Sequence, residues 1–172
     1  MTAEVLALRE GPLGTERLDV SGPALTIVDE PFRTLVDVRG TTTAPVVDGA
    51  WTWRLGPDWW LVDAPASDAV ALESPVATSL RSALPGASVV DVSSLRTVFV
   101  LTGPDARAVL AHGCSLDLDP RVLPVGACVQ GMLAQAQVSI GRTDADALRL
   151  HVRASFARHL AAWLRDASVE YL

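Results

Sequence analysis

Residues 91–133 read DVSSLRTVFVLTGPDARAVLAHGCSLDLDPRVLPVGACVQGML, and the order of parts in this stretch decides the fold. It is entered by the run SVVDVS from Ser88 and continues as RTVFVLT, two segments whose Val, Phe and Thr suit a pleated, half-buried surface. Gly103-Pro104 breaks the strand pattern, and Pro104 suits the first position of a helix. Ala106, Val109 and Leu110 then fall at i, i+3 and i+4 on one helical face. His112-Gly113 ends that helix, with Gly113 read as its left-handed stop. A loop carrying Asp117, Asp119, Pro120 and Pro124 follows, and a new strand starts at Ala127. Strand, turn, short helix, acidic loop and strand make a compact unit on which the rest of the chain packs.

Outward from this unit the same periods recur. ALTIVD (24–29) and TLVDVR (34–39) are strand-like runs separated by Glu30-Pro31, and GTTTAPVVDG is a loop by composition. Trp51–Asp63, WTWRLGPDWWLVD, reads as a β-hairpin turning at Gly56-Pro57-Asp58 and holds four of the five tryptophans. These rings either offer a stacking platform to a ring-shaped ligand or pack a sheet face against helices or a partner chain; packing is favoured, because aromatics dominate cores and interfaces. Ser74-Pro75 caps and starts a helix whose Val76, Leu80, Ala83 and Leu84 share a face, and Pro85-Gly86 stops it. Near the C-terminus ALRLHV is a strand, Ser155 an N-cap, and Phe156, Leu160, Trp163 and Leu164 repeat the helical spacing. SVEYL is read as a closing short strand.

The two ends therefore share one pattern, strands followed by an amphipathic helix and a closing strand, without shared identity. The fold class expected is α+β: two pseudo-symmetric antiparallel sheet units with covering helices, fused at the Asp91–Leu101 strands. Residues 1–23, broken by Gly11-Pro12, Gly14 and Gly22-Pro23, read as an extended N-terminal arm. Residues 24–172 read as a single compact domain of two fused halves, about 24–95 and 96–172.

Composition excludes several functions. A net charge of −6 in 172 residues opposes nucleic-acid binding, which needs clustered positive charge. All 14 basic residues are arginine, so a Schiff-base lysine is excluded. No apolar run reaches membrane-spanning length, and the first residues lack a basic n-region, so a cytoplasmic location is expected with no membrane partner. Cys114 and Cys128 are read as buried thiols rather than a disulfide.

The candidate chemistry is sparse. His112 and Cys114, joined by Cys128 and His151, would make a zinc site only if folding assembled them, and loop thiols and helix-end histidines are commoner. A Cys114–His nucleophilic pair has the same weakness. Asp117 and Asp119 offer paired carboxylates, but capping of loop backbone is the better reading, because the calcium-loop spacing is absent. Neither GxGxxG nor GK[ST] occurs, so a flavin or nicotinamide site in this chain is not expected. No catalytic, cofactor-binding or metal residue is assigned.

Taken together, LGPDWWLV, GPDARAVLAHGCSLDLDP, GACVQGMLAQAQVSI and VRASFARHLAAWL resemble, in order and spacing, the gamma subunits of heterotetrameric sarcosine oxidases, over roughly residues 24–167. The resemblance implies a non-catalytic structural subunit, similar in fold to the folate-binding domain of the glycine-cleavage aminomethyltransferases but lacking its C-terminal barrel. Its implied partners are alpha, beta and delta subunits. FAD, FMN, NAD and tetrahydrofolate are implied for the partner subunits and none for this chain, with a zinc site in delta. The assembly oxidatively demethylates sarcosine to glycine with tetrahydrofolate and O2, giving methylenetetrahydrofolate and H2O2. DVSSLRTVFVLTGPDA is similar to the aminomethyltransferase "DVSHMGKIxVxGxDA". The strand that carries their folate-handling aspartate matches Gln135–Arg142, where Ser139 and Ile140 stand instead.

The resemblance leaves two main readings, beside a generic one-carbon-pathway scaffold unrelated to sarcosine. A structural subunit predicts exposed apolar patches around the Trp hairpin or the N-terminal arm. The alternative, a free-standing folate-binding or one-carbon-transfer protein, requires a pocket where Arg96, Gln130 and Gln135 converge.

Overall fold

The computed structural model describes residues 10–66 and 74–172. Strands β1 (Asp19–Gly22), β2 (Leu25–Glu30), β3 (Thr34–Arg39), β4 (Trp51–Gly56) and β5 (Trp59–Ala64) precede helix α1 (Pro75–Ala83). After it come β6 (Ser88–Asp91), β7 (Arg96–Thr102), helix α2 (Ala106–Ala111), β8 (Cys128–Leu133), β9 (Ala136–Asp144), β10 (Ala147–Arg153) and helix α3 (Ala157–Ala167). Two antiparallel sheets result, one ordered β1-β2-β7-β10-β9-β8 and the other β4-β5-β3-β6. This is the α+β architecture expected from the alternation of strand and helix periods.

Strand alternation sorts the side chains into three apolar layers. Ile27, Leu101, Ile140, Leu148 and Leu150 of the larger sheet pack with Val109, Leu110, Leu160 and Leu164 of α2 and α3. On the smaller sheet, Val36, Val38, Trp60, Val62 and Val89 pack with Ala77 and Leu80 of α1. The remaining faces meet each other through Leu35, Trp53, Leu55, Leu61, Val92 and Val98. The order is thus helices, sheet, sheet, helix, with the inner faces of the two sheets turned toward each other. Gln130 Nε2 of β8 donates to the Leu55 carbonyl of β4 across this layer, 2.9 Å away.

Most expected elements stand where their periods placed them. Ser74 caps α1, its Oγ accepting from Ala77 N at 3.2 Å, with Pro75 in the first turn. Residues 10–22, within the expected arm, lie on the protein's own core: Leu13, Leu18 and Val20 are buried, and β1 pairs with β2. Buried Asp29 holds this segment, accepting from Leu18 N and from Arg17 Nε. β2, from the first half, is hydrogen-bonded to β7 of the second.

Four local readings are corrected. Helix α2 starts at Ala106 rather than Pro104, because Gly103 adopts φ +110° and Pro104 and Asp105 complete the turn. Gly113 is not left-handed; it is small because a Cβ there would lie 2.5 Å from the Trp163 ring. Ser155 sits within a 3-10 turn (Ala154–Phe156), so α3 begins without a side-chain cap. The expected closing strand at SVEYL is instead a 3-10 turn, Val169–Tyr171, pinned where His112 Nε2 meets Tyr171 Oη at 3.0 Å.

Gly103 carries a sharp prediction. A Cβ there would lie 2.2 Å from the Ala24 carbonyl oxygen, in a backbone conformation that side chains rarely adopt. Gly103→Ala is expected to cost about 2–4 kcal/mol, combining backbone strain with a backbone clash. A urea melt with an unchanged slope and a lower midpoint would record it.

Candidate functional site

The inner face of β10 breaks the apolar pattern. Leu148, Leu150 and Val152 point to the helices, so Arg149, His151 and Arg153 point toward the second sheet. Arg149 and His151 meet Asp63, at the end of β5, which is fully buried. Asp63 Oδ2 accepts from Arg149 Nε at 2.8 Å and from His151 Nε2 at 2.9 Å. Its Oδ1 accepts from Arg33 Nε at 2.7 Å, and Arg33 also donates to the Asp63 carbonyl at 3.2 Å. Arg149 Nη2 reaches Glu30 Oε2 at 2.5 Å. Glu30 and Arg33 flank the turn between β2 and β3, where the chain passes from the larger sheet to the smaller, with Phe32 at φ 64°.

Two carboxylates thus balance two guanidinium groups around one buried imidazole. Burial alone would raise the Asp63 pKa, but the His151 hydrogen bond and the charges of His151, Arg149 and Arg33 outweigh it, holding the carboxyl well below the usual range. Ionised Asp63 makes His151 Nε2 the donor. Among the described residues, His151 Nδ1 and the neighbouring Trp53 Nε1 have no hydrogen-bond partner, and the two rings stand edge to face with centroids 6.1 Å apart. Trp53 is fully buried, stacked on Trp51 and seated over Gly141, where a Cβ would come 2.7 Å from its ring.

An aspartate orienting a histidine is half of a hydrolytic relay. Here the imidazole is fully buried, and although Ser139 lies directly opposite on β9, no hydrogen bond joins it to the ring. What the arrangement does is join the sheets: β5 of one is tied to β10 of the other, and the β2–β3 turn is tied to both.

The residues singled out from sequence do not converge on a second site. Cys114 packs on the helix side of the larger sheet and Cys128 on the inter-sheet side, so they share neither a disulfide nor a metal. Burial pushes the Cys128 thiol up to about 12. His112 meets Tyr171, His151 meets Asp63, and His159 Nε2 meets the Ala134 carbonyl at 2.7 Å. Asp117 and Asp119 accept from backbone N–H groups of their own loop, and hydrogen bonds from Arg121 hold the half-buried Asp119 carboxyl down to about 2. Arg96 and Gln130 lie on the inner face, whereas Gln135 is in the β8–β9 turn beside Gly113 and His159. Ser139 is buried beside His151, and Ile140 lies in the helix-side core. Trp53 and Trp60 are buried, so the tryptophan hairpin is not the exposed apolar patch; Leu95, Phe156, Val122 and Val125 are exposed instead.

Arg142, which the sequence did not single out, anchors the acidic loop. Almost wholly buried, it donates through Nε to Leu123 O (2.7 Å), through Nη2 to Leu118 O (2.7 Å) and through Nη1 to Ala145 O (2.5 Å). Arg142→Met keeps the apolar stem and strands three carbonyls, an expected loss of about 2–4 kcal/mol. Because Arg121 is exposed in that loop, tryptic cleavage after Arg121 should accelerate in the variant well before global unfolding.

The comparisons with known proteins agree with this geometry. The model of the "Sarcosine oxidase, gamma subunit family" matches residues 26–170. The sarcosine oxidase subunit gamma of Corynebacterium sp. (strain P-1) is 33% identical over 174 residues, covering 99% of this chain and 83% of that protein. That of Arthrobacter sp is 35% identical over 130 residues, covering 74% and 61%. Among solved structures, a chain of the heterotetrameric sarcosine oxidase from Corynebacterium sp. U-96, in complex with pyrrole 2-carboxylate, superposes with a TM-score of 0.80 at 29% identity, covering 95% of this chain and 96% of that one. The glycine cleavage system aminomethyltransferase T of Bartonella henselae shares the fold, with a TM-score of 0.62 at 19% identity over 82% of this chain and 45% of that one. A family match across both sheets, and a superposition that spans nearly the whole of each chain, place the protein: it belongs to the sarcosine oxidase gamma subunit family.

Proposed function

We propose that this chain is the gamma subunit of a heterotetrameric sarcosine oxidase and serves it as a structural, non-catalytic component. The single observation that carries the reading is the near end-to-end superposition on a chain of that assembly. The site geometry supports it: the Asp63–His151 pair is consumed by two arginines and shut between two sheets, so it ties the fold together rather than meeting a substrate. Catalysis, in this reading, belongs to the partner subunits alpha, beta and delta, which hold FAD, FMN, NAD and tetrahydrofolate and convert sarcosine to glycine, methylenetetrahydrofolate and H2O2. The chain works in the cytoplasm; no helix among the described residues is long and apolar enough to cross a membrane. Residues 24–172 act as one domain of two fused halves, with residues 1–23 added to it.

The test is capture of the tagged full-length chain from its native cells. Co-elution with larger, flavin-absorbing proteins and sarcosine-dependent peroxide production is the expected result. A lone, colourless chain whose melting temperature rises with tetrahydrofolate would replace this reading with the folate-binding one.

A further inference from the structure

The layer between the sheets is neutral at its Asp63 end and cationic at the other. Along β10 the inner face runs Arg149, His151, Arg153, and along β5 it runs Asp63, Leu61, Trp59, so both sheets reach the same open end together. There Arg153 stands directly opposite Arg96 of β7. Directly opposed residues of antiparallel strands project to the same face with Cβ atoms about 5 Å apart. From the other sheet, β3 brings Asp37 and Arg39 to this end. Arg39 lies over the Trp59 ring at 4.2 Å and pairs with Asp37 at 3.2 Å, and Trp59 Nε1 donates to Asp37 Oδ1.

Three guanidinium groups therefore face one carboxylate, and that carboxylate is already occupied by Arg39 and Trp59. Neither the Arg96 nor the Arg153 side chain makes a hydrogen bond or ion pair among the described residues, although Arg96 is half-buried. Burial lowers the pKa of Arg96, and repulsion from Arg153 and Arg39 lowers it further against the pull of Asp37. Like charges set opposite each other in a sheet are destabilising, and in a chain of net charge −6 this local excess is not a general surface property.

The rim of the same end is apolar. Leu95 precedes Arg96 and is 62% exposed; its carbonyl accepts from Ala154 N, and Phe156, two residues on, is 42% exposed. Arginine beside uncovered aliphatic and aromatic side chains is the composition of a protein interface, and a small anion would leave Leu95 and Phe156 in water.

We infer that Arg96, Arg153 and Arg39, rimmed by Leu95 and Phe156, form the surface on which an acidic segment of a partner subunit docks, its carboxylates taking the places that Arg96 and Arg153 leave unfilled. Charge complementarity selects this occupant: bidentate guanidinium–carboxylate pairs would replace the Arg96–Arg153 repulsion, and an apolar residue beside the carboxylates would cover Leu95 and Phe156. The inference rests on the subunit reading.

The experiment titrates the full-length chain into the remaining purified subunits and reads the assembly constant. Arg96→Glu and Arg153→Glu are compared, singly and together, with Arg107→Glu on α2, across the molecule. Each single reversal is expected to weaken assembly by about tenfold or more at low salt, the pair by more, and Arg107→Glu not at all. The difference should shrink near 1 M salt, where charges are screened beyond about 3 Å. Arg153 is exposed at a strand end, so its variant folds and decides the matter if Arg96→Glu does not. Wild-type affinity in the Arg153→Glu variant and in the double reversal overturns the inference and leaves the subunit reading standing. If the wild-type chain itself does not assemble, both fall. If the reversals spare assembly but abolish a thermal shift given by inorganic phosphate, the arginines hold a small anion and the docking inference is overturned.

Discussion

Asp63→Ala is expected to lower the unfolding free energy by about 3–5 kcal/mol, the loss that follows when one partner of a buried ion pair is removed. The size comes from what remains. Arg149, almost wholly buried, keeps only Glu30; Arg33 loses its 2.7 Å bond; and His151 Nε2, fully buried, loses its acceptor. Substituting the charged cluster wholesale by apolar residues is a different change and need not destabilise, because the desolvation penalty of the ions disappears with them. A urea melt of Asp63→Ala beside an Asp63→Ala/Arg149→Met double variant separates the two effects: the second substitution should recover part of the loss.

The same carboxylate gives the fold an acid dependence of fixed sign. Its folded pKa lies below the ordinary aspartate value of 3.8. The unfolded chain therefore binds a proton more readily, and the contribution of Asp63 is complete above that value. It is lost progressively as pH falls below it toward the folded pKa. Melting temperature against pH should drop more steeply below about pH 4 for the wild type than for Asp63→Ala.

Trp53→Ala is the second large loss, about 3–5 kcal/mol. Trp53 fills the space between the sheets, stacked on Trp51 at 5.4 Å and held over Gly141. Its indole N–H is unpartnered among the described residues, so the cost of truncation is that of lost packing and the cavity left behind. Gly141→Ala on the wild-type background is expected to destabilise as well, because the new methyl would meet the ring at 2.7 Å. Combined with Trp53→Leu the same methyl enters freed space, so the two substitutions should be strongly non-additive in denaturant melts.

These residues mark where the sequence stopped being legible. The strands, the tryptophan hairpin and the Ser74-Pro75 helix start follow from local period and turn chemistry, which depend on neighbours a few residues apart. The Asp63 cluster does not. In ALRLHVR, the polar residues at every second position read as a solvated strand face, and only the second sheet lying over that face makes Arg149 and His151 interior. The tie spans 86 residues from Asp63 to Arg149, beyond any spacing rule. Gly113 misled for a related reason: its smallness answers to Trp163, a tertiary neighbour, rather than to the backbone stop that glycine commonly provides. SVEYL has strand-forming residues yet pairs with no strand; tertiary packing, with His112 held against Tyr171, overrides its propensity and turns it into a single 3-10 turn.

Family-level residues told more about the role than any motif with chemistry of its own. The segments from LGPDWWLV to VRASFARHLAAWL lie on both sheets and on α2 and α3, so the resemblance runs through the framework rather than through an active centre. Ser139 and Ile140, the positions nearest the folate-handling aspartate of the aminomethyltransferases by resemblance, are both buried, Ser139 beside His151 and Ile140 in the helix-side core.

The most direct test of the structural-subunit account is size-exclusion chromatography of the other subunits expressed with and without this chain, monitored at a flavin absorption band. The account predicts that the chain shifts the flavin-absorbing peak to larger size and elutes within it in constant proportion, while adding no flavin of its own. An unshifted flavin peak, with the chain eluting separately, would contradict it.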